Sequence, residues 1–284
     1  MHIIDGRAVA DQVYTDLKER IRVLIKRYRV NPELGIIACQ GMSEASKSYI
    51  MQKKKACERL GIDFHIRIVG DGEGQKKLNE LCMANRMKHI PTIIQLPVKG
   101  GLDPMEALEE MMDPWLDVDG FLSNSPFTSC TPKGVMTLID SIPLSLEGRN
   151  VLVIGRSNIV GQPIAQMCLR RDATVMVAHS HTEHLGDILR WFPDLIISAT
   201  GVPGIVNPKC FDKDRMYVVI DVGIARGTDG KLRGDMMHDP EYDRLCDNVW
   251  YTPVPGGVGP MTVASLMQNV VESYEHYVSV NPSL

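Results

Sequence analysis

The chain has 284 residues, a length that fits one large domain or two of modest size. Hydrophobic residues make up 44% and charged residues 23%, the usual mix for a protein with a substantial buried core. The net charge of −4 gives no general attraction to nucleic acid or to anionic membranes, so we expect neither as a partner. No run of about 18 apolar residues occurs, which excludes a membrane-spanning helix.

Seven cysteines are spread along the chain without a Cys-x-x-Cys pair. An odd, dispersed set indicates reduced and mostly buried thiols rather than a disulfide framework or a zinc site. Residues Met1 to Arg7 also lack the charged-then-apolar pattern of a secretory signal. We therefore expect a cytoplasmic protein. The cysteines are Cys39, Cys57, Cys82, Cys130, Cys168, Cys210 and Cys246.

Predicted helices and strands alternate through the first half of the chain, which implies parallel strand pairing. A helix is predicted from about Arg7 to Tyr28, because apolar residues recur there at helical spacing between charged ones. Asp103 followed by Pro104 and Glu106 is typical of another helix start. The remaining predictions are strands at Leu34–Cys39, His65–Val69 and Thr92–Leu96, and helices at Ser46–Leu60 and Lys76–Lys88.

The second half repeats this alternation and predicts a doubly wound sheet with a nucleotide site beyond the carboxyl ends of the strands. Thr262 is expected to cap a last helix that runs to about Val278 and packs back on the first half. The predicted strands are Asn150–Gly155, Thr174–Ala178, Leu195–Ala199, Val218–Asp221 and Val249–Thr252, with helices at Val160–Arg171 and Thr182–Trp191.

A phosphate-binding turn is predicted where the strand that ends at Gly155 meets the next helix. Gly155 permits a tight turn, Gly161 allows close approach of backbone and helix, and the helix N-terminus offers N–H groups to a pyrophosphate. The Gly-x5-Gly spacing departs from Gly-x-Gly-x-x-Gly, because Ser157 stands where the second glycine would be. A structural turn with a helix-capping serine is the alternative interpretation.

The end of the second strand of this sheet favours NADP over NAD. NAD sites usually carry an Asp or Glu there, whereas Thr174–Ala178 is followed by His179-Ser180-His181-Thr182. Arg156 and Ser180 could instead bind a 2′-phosphate. His179, His181 and His184 also suggest a metal site, but they straddle a strand end and a helix start and would not converge without rearrangement, so we expect no metal.

Several polar groups in the first half suggest a substrate site. Tyr49 and Lys53 lie one turn apart on one helical face, although a surface lysine run with a half-buried tyrosine is the plainer interpretation. Gln95-Leu96-Pro97 ends a strand, and Asp117 and Asp119 flank Val118 before a glycine turn. Much later, Pro253 to Thr262 form a proline- and glycine-rich loop, a costly segment unless its backbone is closely contacted.

These motifs together resemble bifunctional methylenetetrahydrofolate dehydrogenase/methenyltetrahydrofolate cyclohydrolase, in the same order and over nearly the whole chain. The Pro-Gly-Gly-Val-Gly-Pro-Met-Thr string is the most specific. The matching segments are Tyr49-x-x-x-Lys53, Gln95-Leu96-Pro97, Asp117-Val118-Asp119-Gly120, Cys130-Thr131-Pro132-Lys133-Gly134, Gly155-Arg156-Ser157-x-x-Val160-Gly161-x-Pro163, Ile220-Asp221-Val222-Gly223-Ile224 and Pro253 to Thr262.

The resemblance implies roles for individual residues. Lys53 would act at the one-carbon bridge of the folate, chiefly in hydrolysis, with Gln95 tuning it and Tyr49 packing on the folate. Asp119 would accept hydrogen bonds from the pterin. Positioning of the bridge against the nicotinamide would dominate the dehydrogenase step. The implied folate-binding residues are Tyr49, Asp119, Pro255, Gly256 and Gly257, and the implied NADP-binding residues are Gly155, Arg156, Ser157, Val160, Gly161, Ser180, Thr200, Gly201 and Ile224.

The implied architecture is α/β with two domains: an N-terminal catalytic domain of residues 1–130 plus 262–284, and a Rossmann-like, doubly wound parallel-sheet NADP domain of residues 131–261. The C-terminal helix would return to the first domain, and a homodimer is implied.

The segment Phe121–Ser129 is shorter than usual in this family, Gln40 to Ser46 departs from the usual Val-Gly-Asp-x-x-Ala-Ser, and Pro91-Thr92 stands where Asp-Gly is common. Two alternatives therefore stay open: a dehydrogenase with weakened cyclohydrolase activity, and a non-catalytic dinucleotide sensor.

Overall fold

The computed structural model describes residues 1–111, 113–227, 229–239, 243 and 247–281. The chain forms two compact units. One, the six-stranded unit, contains Met1–Asp11 and Thr131–Thr262, and the other, the three-stranded unit, contains Gln12–Cys130 and Val263–Leu284. Each is an α/β unit with a parallel sheet, so the predicted fold class is confirmed.

The six-stranded sheet is built from β1 (His2–Ile3), β5 (Asn150–Ile154), β6 (Thr174–Ala178), β7 (Leu195–Ser198), β8 (Tyr217–Asp221) and β11 (Val249–Tyr251). All neighbours pair in parallel, in the order β1-β11-β8-β7-β5-β6. The chain leaves β5 for β6 on one side and then continues to β7 on the other. The order in which strands are added to the sheet therefore reverses beside β5, and doubly wound sheets bind ligands at such a point.

Helices α5 (Cys130–Asp140), α6 (Gly161–Leu169) and α7 (Leu185–Trp191) accompany this sheet in sequence. A hairpin of β9 (Ala225–Arg226) and β10 (Leu232–Arg233) follows β8. Inward-facing strand residues such as Leu152, Ile196 and Val219 form one apolar core with Phe211 and Tyr217, whose rings stack with centroids 4.3 Å apart. Such continuous burial of β5, β7 and β8 is typical of parallel strands covered on both faces.

The three-stranded unit contains the strands β2 (Glu33–Cys39), β3 (Asp63–Val69) and β4 (Thr92–Ile94), in the order β3-β2-β4. Its helices are most of α1 (Gly6–Tyr28), α2 (Glu44–Leu60), α3 (Gln75–Arg86), α4 (Pro104–Glu110) and most of α8 (Val258–Val280). The core joins β2 and β4 to α3 and α4 through Ile37, Ile94, Leu78 and Leu108.

Helix α8 packs in the three-stranded unit, as predicted. Asn269 Nδ2 donates to Val118 O over 2.9 Å, Ser273 Oγ donates to Trp115 O over 2.7 Å, and Arg20 is paired with Glu275 over 2.6 Å.

The start of α8 differs from the prediction. The helix begins at Val258, so Thr262 lies inside it and its hydroxyl donates to Val258 O over 3.3 Å rather than capping the helix. Pro260 looked like a loop residue, but a proline in the first helical turn forfeits no intrahelical hydrogen bond.

Other differences concern short elements. Helix α7 begins at Leu185 rather than Thr182, because His184 adopts a left-handed conformation with φ of 54°. Helix α5 and the two-residue strands were not predicted. Residues 1–11, predicted in the catalytic domain, belong to the six-stranded unit, since β1 pairs with β11 and Ile4 N donates to Tyr251 O over 2.8 Å.

Six of the seven cysteines are free, and five of these are buried. Cys246 lies outside the described residues. No helix in the described part of the chain is long and apolar enough to cross a membrane.

Candidate active site

Lys53 and Gln95 form a direct pair in the three-stranded unit. Lys53 lies in the middle of α2, a helix capped by the Ser43 side chain at its start and by left-handed Gly61 at its end. Gln95 directly follows β4, and its backbone N–H donates to Ile37 O over 2.8 Å. Lys53 Nζ donates to Gln95 Oε1 over 3.0 Å, while Gln95 Nε2 donates to Leu96 O over 2.9 Å. The amide is therefore oriented with its oxygen towards the lysine.

Tyr49 lies one helical turn before Lys53 and is 41% exposed. Ser46, a further turn back, is buried, and its hydroxyl donates to Leu96 O over 3.5 Å. The helix is thus fixed at Ser46 against the segment that follows β4. It presents Tyr49 as an accessible aromatic surface on the side where Lys53 meets Gln95, an arrangement that suits a flat heterocyclic ligand.

The two aspartates around Val118 have different environments. Asp117 is fully buried, and its Oδ2 accepts from Leu122 N over 2.8 Å, whereas its Oδ1 has no partner among the described residues. Burial raises the pKa of Asp117 to about 6. Asp119 is partly exposed, and no side chain or backbone group in the described ranges donates to its carboxylate. Asp119 is therefore available to a ligand, while Asp117 organises the turn.

The shortened segment 121–129 is compact. Leu122 and Phe127 are buried, and the Phe127 ring meets Trp115 edge-on with centroids 5.5 Å apart. Ser125 Oγ donates to Asp117 O over 3.2 Å, and Asn269 Nδ2 contacts both Val118 O and Thr128 O. The shorter segment therefore packs against the turn that contains Asp119 and leaves the Lys53–Gln95 pair intact.

The turn between β5 and α6 is shaped for close approach of a phosphate. Gly155 has φ of 117°, and a Cβ there would lie 2.6 Å from Ala199 O. A Cβ on Gly161 would overlap Gly155 O, so neither glycine tolerates a side chain. Ser157 Oγ accepts from Gly161 N over 3.3 Å, which is the capping role considered above. The backbone thus fits a dinucleotide phosphate at the first turn of α6.

The other residues predicted at this site lie on loops of the same unit. Val160 directly precedes α6, Arg156 and Ser180 are exposed after β5 and β6, and Gly201 and the exposed Ile224 follow β7 and β8. Thr200 donates to Asp235 Oδ2 from both its N–H and its hydroxyl, each over 2.8 Å. Asp235 is buried and was not predicted from the sequence, because Ser198 and Thr200, which donate to its carboxylate, lie more than thirty residues away along the chain.

Pro255, Gly256 and Gly257 belong to the six-stranded unit, whereas Lys53, Gln95 and Asp119 belong to the other. Pro255 is exposed and follows a cis peptide bond with Val254. Gly257 N donates to Pro253 O over 2.7 Å, and a side chain at Gly6 would overlap Gly257 O. The backbone of this loop is therefore closely packed on one side, while Pro255 faces solvent.

The histidines after β6 do not assemble a metal site. His181 N donates to His179 Nδ1 over 3.2 Å, which engages that ring nitrogen, and His184 is largely exposed beside Asp187. Within the described ranges, no group of three or more His, Cys, Asp or Glu side chains could hold a metal ion.

Comparison with known proteins identifies the family. The model of the tetrahydrofolate dehydrogenase/cyclohydrolase catalytic domain matches residues 4–119, and that of the NAD(P)-binding domain of the same family matches residues 129–278. The chain is 40% identical to bifunctional protein FolD of Levilactobacillus brevis, over 96% of each chain.

Solved structures agree with this match. The bifunctional methylenetetrahydrofolate dehydrogenase/cyclohydrolase of Campylobacter jejuni has a TM-score of 0.88 and 33% identity, covering 98% of this chain and 99% of its own. The Trypanosoma brucei methylenetetrahydrofolate dehydrogenase-cyclohydrolase, solved with NADP and an inhibitor, has a TM-score of 0.86 and 31% identity, covering 97% and 98%. The predicted dehydrogenase and cyclohydrolase activities are thereby confirmed, and the chain belongs to the tetrahydrofolate dehydrogenase/cyclohydrolase family.

Proposed function

We propose that this enzyme oxidises 5,10-methylenetetrahydrofolate with NADP and hydrolyses the methenyl product to 10-formyltetrahydrofolate, and that Lys53 and Gln95 serve the second step. The observation that carries the proposal is the 3.0 Å hydrogen bond between them, beside the accessible ring of Tyr49. NADP supplies the hydride acceptor for the first step. Loss of hydride from the methylene bridge leaves a cation stabilised by the adjacent nitrogens, so positioning dominates that step.

Hydrolysis needs proton transfer. A water molecule adds to the methenyl carbon and loses a proton, which gives a neutral hydroxyl adduct. The carbon–N5 bond then breaks as N5 takes up a proton and the hydroxyl loses its own, so that a formyl group remains on N10 and one proton is released overall. Lys53 is the group that moves protons at this carbon. Gln95 holds its Nζ through a neutral oxygen and leaves the amine free to exchange protons. Asp119 accepts from the donor groups of the pterin, a task suited to a carboxylate that no described residue of the protein bonds.

The test is to supply purified enzyme with methylenetetrahydrofolate and either NADP or NAD, and to assay hydrolysis of added methenyltetrahydrofolate separately. Lys53→Met should lower hydrolysis at least about a hundredfold, the usual contribution of a general acid–base group. NADP reduction should persist in this variant. Lys54→Met, on the next position of the same helix, is the matched control. Hydrolysis at the wild-type rate in Lys53→Met would exclude the assigned role.

NADP is preferred over NAD through Arg156 and Ser180, which follow β5 and β6 and are both exposed. A guanidinium binds a 2′-phosphate with charge-assisted hydrogen bonds, and the four residues directly after β6 include no carboxylate to bind a ribose hydroxyl. Arg156→Ala should therefore raise KM for NADP about tenfold or more, equivalent to one lost charged hydrogen bond, and leave that for NAD nearly unchanged. An equal rise for both cofactors would exclude this assignment.

The enzyme forms a homodimer in the cytoplasm. The outer edge of β3 supports the dimer, because Ile66 and Ile68 are 47% and 43% exposed on a strand that pairs only with β2 among the described residues. Long edge strands with exposed apolar side chains are natural pairing surfaces. The free thiols of the described cysteines support a reducing compartment.

The Phe121–Ser129 segment gives no support to a dehydrogenase without hydrolase activity. Its bonds are made to the Asp117–Gly120 turn and to Asn269, and Lys53 and Gln95 keep their mutual contact.

A further inference from the structure

We propose that Asp235 is a positioning residue that sets the affinity of the enzyme for its dinucleotide by holding the loops after β7 and β8 in place. The proposal deepens the proposed function and rests on it, since Thr200, Gly201 and Ile224 are the residues of these loops expected to contact the cofactor. Asp235 itself lies at the end of the β9–β10 hairpin and is fully buried, so it acts through these neighbours.

Asp235 holds the β7 loop directly. Its Oδ2 accepts from Ser198 Oγ over 2.6 Å, at the last residue of β7, and from the N–H and hydroxyl of Thr200 over 2.8 Å each. Thr200 Oγ1 in turn accepts from Val202 N over 3.1 Å. One carboxylate oxygen therefore fixes the direction in which the chain leaves the sheet.

Asp235 holds the β8 loop together with Asp221, the last residue of β8. Asp221 Oδ1 accepts from Gly223 N and from Asp235 N, each over 3.0 Å, and its Oδ2 accepts from Met236 N over 2.8 Å. Asp235 Oδ1 lies against Gly223 so closely that any side chain there would overlap it. The backbone that leads to Ile224 is thereby held between the two aspartates.

The position of this cluster in the sheet points to the cofactor. Strand β7 lies next to β5, and the loops that follow them meet where Gly155 approaches Ala199 O. The order in which strands are added to the sheet reverses at this place, and doubly wound sheets bind nucleotides there. A shift of Thr200 would therefore move the loop after β7, which lies beside this expected nucleotide site.

The two buried carboxylates of this cluster lower the stability of the fold, which would be unfavourable if their only role were structural. No lysine or arginine in the described part of the chain forms an ion pair with Asp221 or Asp235, and Asp235 Oδ1 has no hydrogen-bond partner there. Burying carboxylates without a cation lowers stability, and such costs concentrate at functional sites. A neutral side chain would have been the cheaper way to join two loops.

The experiment compares three variants of the whole enzyme. Asp235→Ala removes the acceptor of the Thr200 bonds, and Asp235→Asn keeps one oxygen for them. Ser198→Ala is the matched control, because it removes one donor to the same carboxylate oxygen but leaves Thr200 bound to Asp235. For each variant, KM and kcat with NADP, Kd for NADP by fluorescence titration, and hydrolysis of supplied methenyltetrahydrofolate are measured.

In Asp235→Ala, KM and Kd for NADP should rise about tenfold or more, as expected for lost hydrogen bonds to a charged group. The kcat at saturating NADP and the rate of hydrolysis should stay near wild type. Asp235→Asn should restore a part of the affinity, and Ser198→Ala should bind NADP as wild type does. A variant that loses kcat and hydrolysis together with affinity has lost its fold rather than one loop.

The outcomes separate this inference from the proposed function. A wild-type enzyme that neither binds NADP nor reduces it would contradict the proposed function. Wild-type activity with unchanged Kd for NADP in both Asp235 variants would overturn the positioning role, as would an equal loss of affinity in Ser198→Ala. If Asp235→Ala does not fold, Asp235→Asn decides by the same criterion.

Discussion

The partner of Lys53 is a carboxamide, and that choice has chemical consequences. A carboxylate at the position of Gln95 Oε1, 3.0 Å from Nζ, would attract the ammonium form strongly, since two unit charges at this range interact by several kcal/mol near a protein surface. The amide orients the amine with a hydrogen bond but without this attraction. A lysine that must give and take protons during hydrolysis therefore benefits from a neutral partner.

Gln95→Glu tests this argument. The substitution keeps the length of the side chain and adds a charge, so the ammonium form of Lys53 should be retained and hydrolysis of methenyltetrahydrofolate should fall about tenfold or more. NADP reduction should change much less. Gln95→Met, which removes both the bond and the polarity, is the companion variant. Hydrolysis unaffected by Gln95→Glu would show that the pair is not used in that step.

Asp117 makes stability depend on pH. Burial raises its pKa from 3.8 to about 6, so its contribution to stability is fully present below about pH 4 and is lost as pH rises through 6. Asp117→Asn fills the same volume and does not titrate. The variant should therefore gain stability relative to wild type by about 1 kcal/mol more at pH 7.5 than at pH 5.0. Asp221, whose pKa is also raised to about 6 by burial, is present in both proteins and cancels.

Thermal unfolding followed by circular dichroism at the two pH values measures this difference. A gap between variant and wild type that is the same at both pH values would mean that Asp117 does not change its charge in this range.

At the scale of elements, two glycines set the shape of the turn that leads into α6. Gly155 approaches Ala199 and Gly161 approaches Gly155 so closely that neither accepts a Cβ, and this turn lies at the helix N-terminus, where a phosphate would bind. Gly186, near the start of α7, lies in the same unit, but an added Cβ there would make only ordinary contact, 3.6 Å from Cys210 Sγ. Gly161 and Gly186 both lie close to the start of a helix, but replacing them with alanine should have opposite effects on stability.

Gly161→Ala should weaken NADP binding about tenfold or more and lower the melting temperature. The new methyl group would overlap the Gly155 carbonyl, so the backbone of the turn must shift to make room for it. Gly186→Ala should bind NADP normally and be slightly more stable, by up to ~1 kcal/mol, from higher helix propensity. Fluorescence titration and thermal melts give both quantities. Normal NADP affinity in Gly161→Ala would show that the close approach is not required.

How well each element could be predicted from the sequence depended on how far apart its interacting residues lie along the chain. Strands β5, β7 and β8 and helix α2 carry local signals, namely apolar runs, caps and terminal glycines, and were placed within one or two residues. The two-residue strands have no such pattern, because they exist only through pairing such as that of β1 with β11. The start of α8 was missed because a first-turn proline resembles a loop residue. Asp235 gave no signal, since its role depends on Ser198 and Thr200, far away in sequence.

At the scale of the whole molecule, the three-stranded sheet exposes apolar side chains on its outer strand β3. In the three-stranded sheet, Ile36 pairs in register with Ile66 and Ala38 with Ile68. The β2 members of these pairs are buried, yet the β3 members are roughly half exposed. The apolar face therefore continues past the cover of the unit's own helices to the outer strand. A second copy of the chain, offering the same strand, would cover this face and pair the edge, giving a symmetric contact.

Ile66→Lys should convert the dimer to monomer, because a lysine on an edge strand blocks pairing and its charge would be buried in the contact. Val177→Lys is the matched control: Val177 is 39% exposed on β6, the outer strand of the other sheet, and this variant should stay dimeric. Sedimentation velocity over a range of protein concentrations measures the mass of each. A monomeric wild-type enzyme would contradict the homodimer. Dissociation by Val177→Lys but not by Ile66→Lys would place the contact on the six-stranded sheet instead.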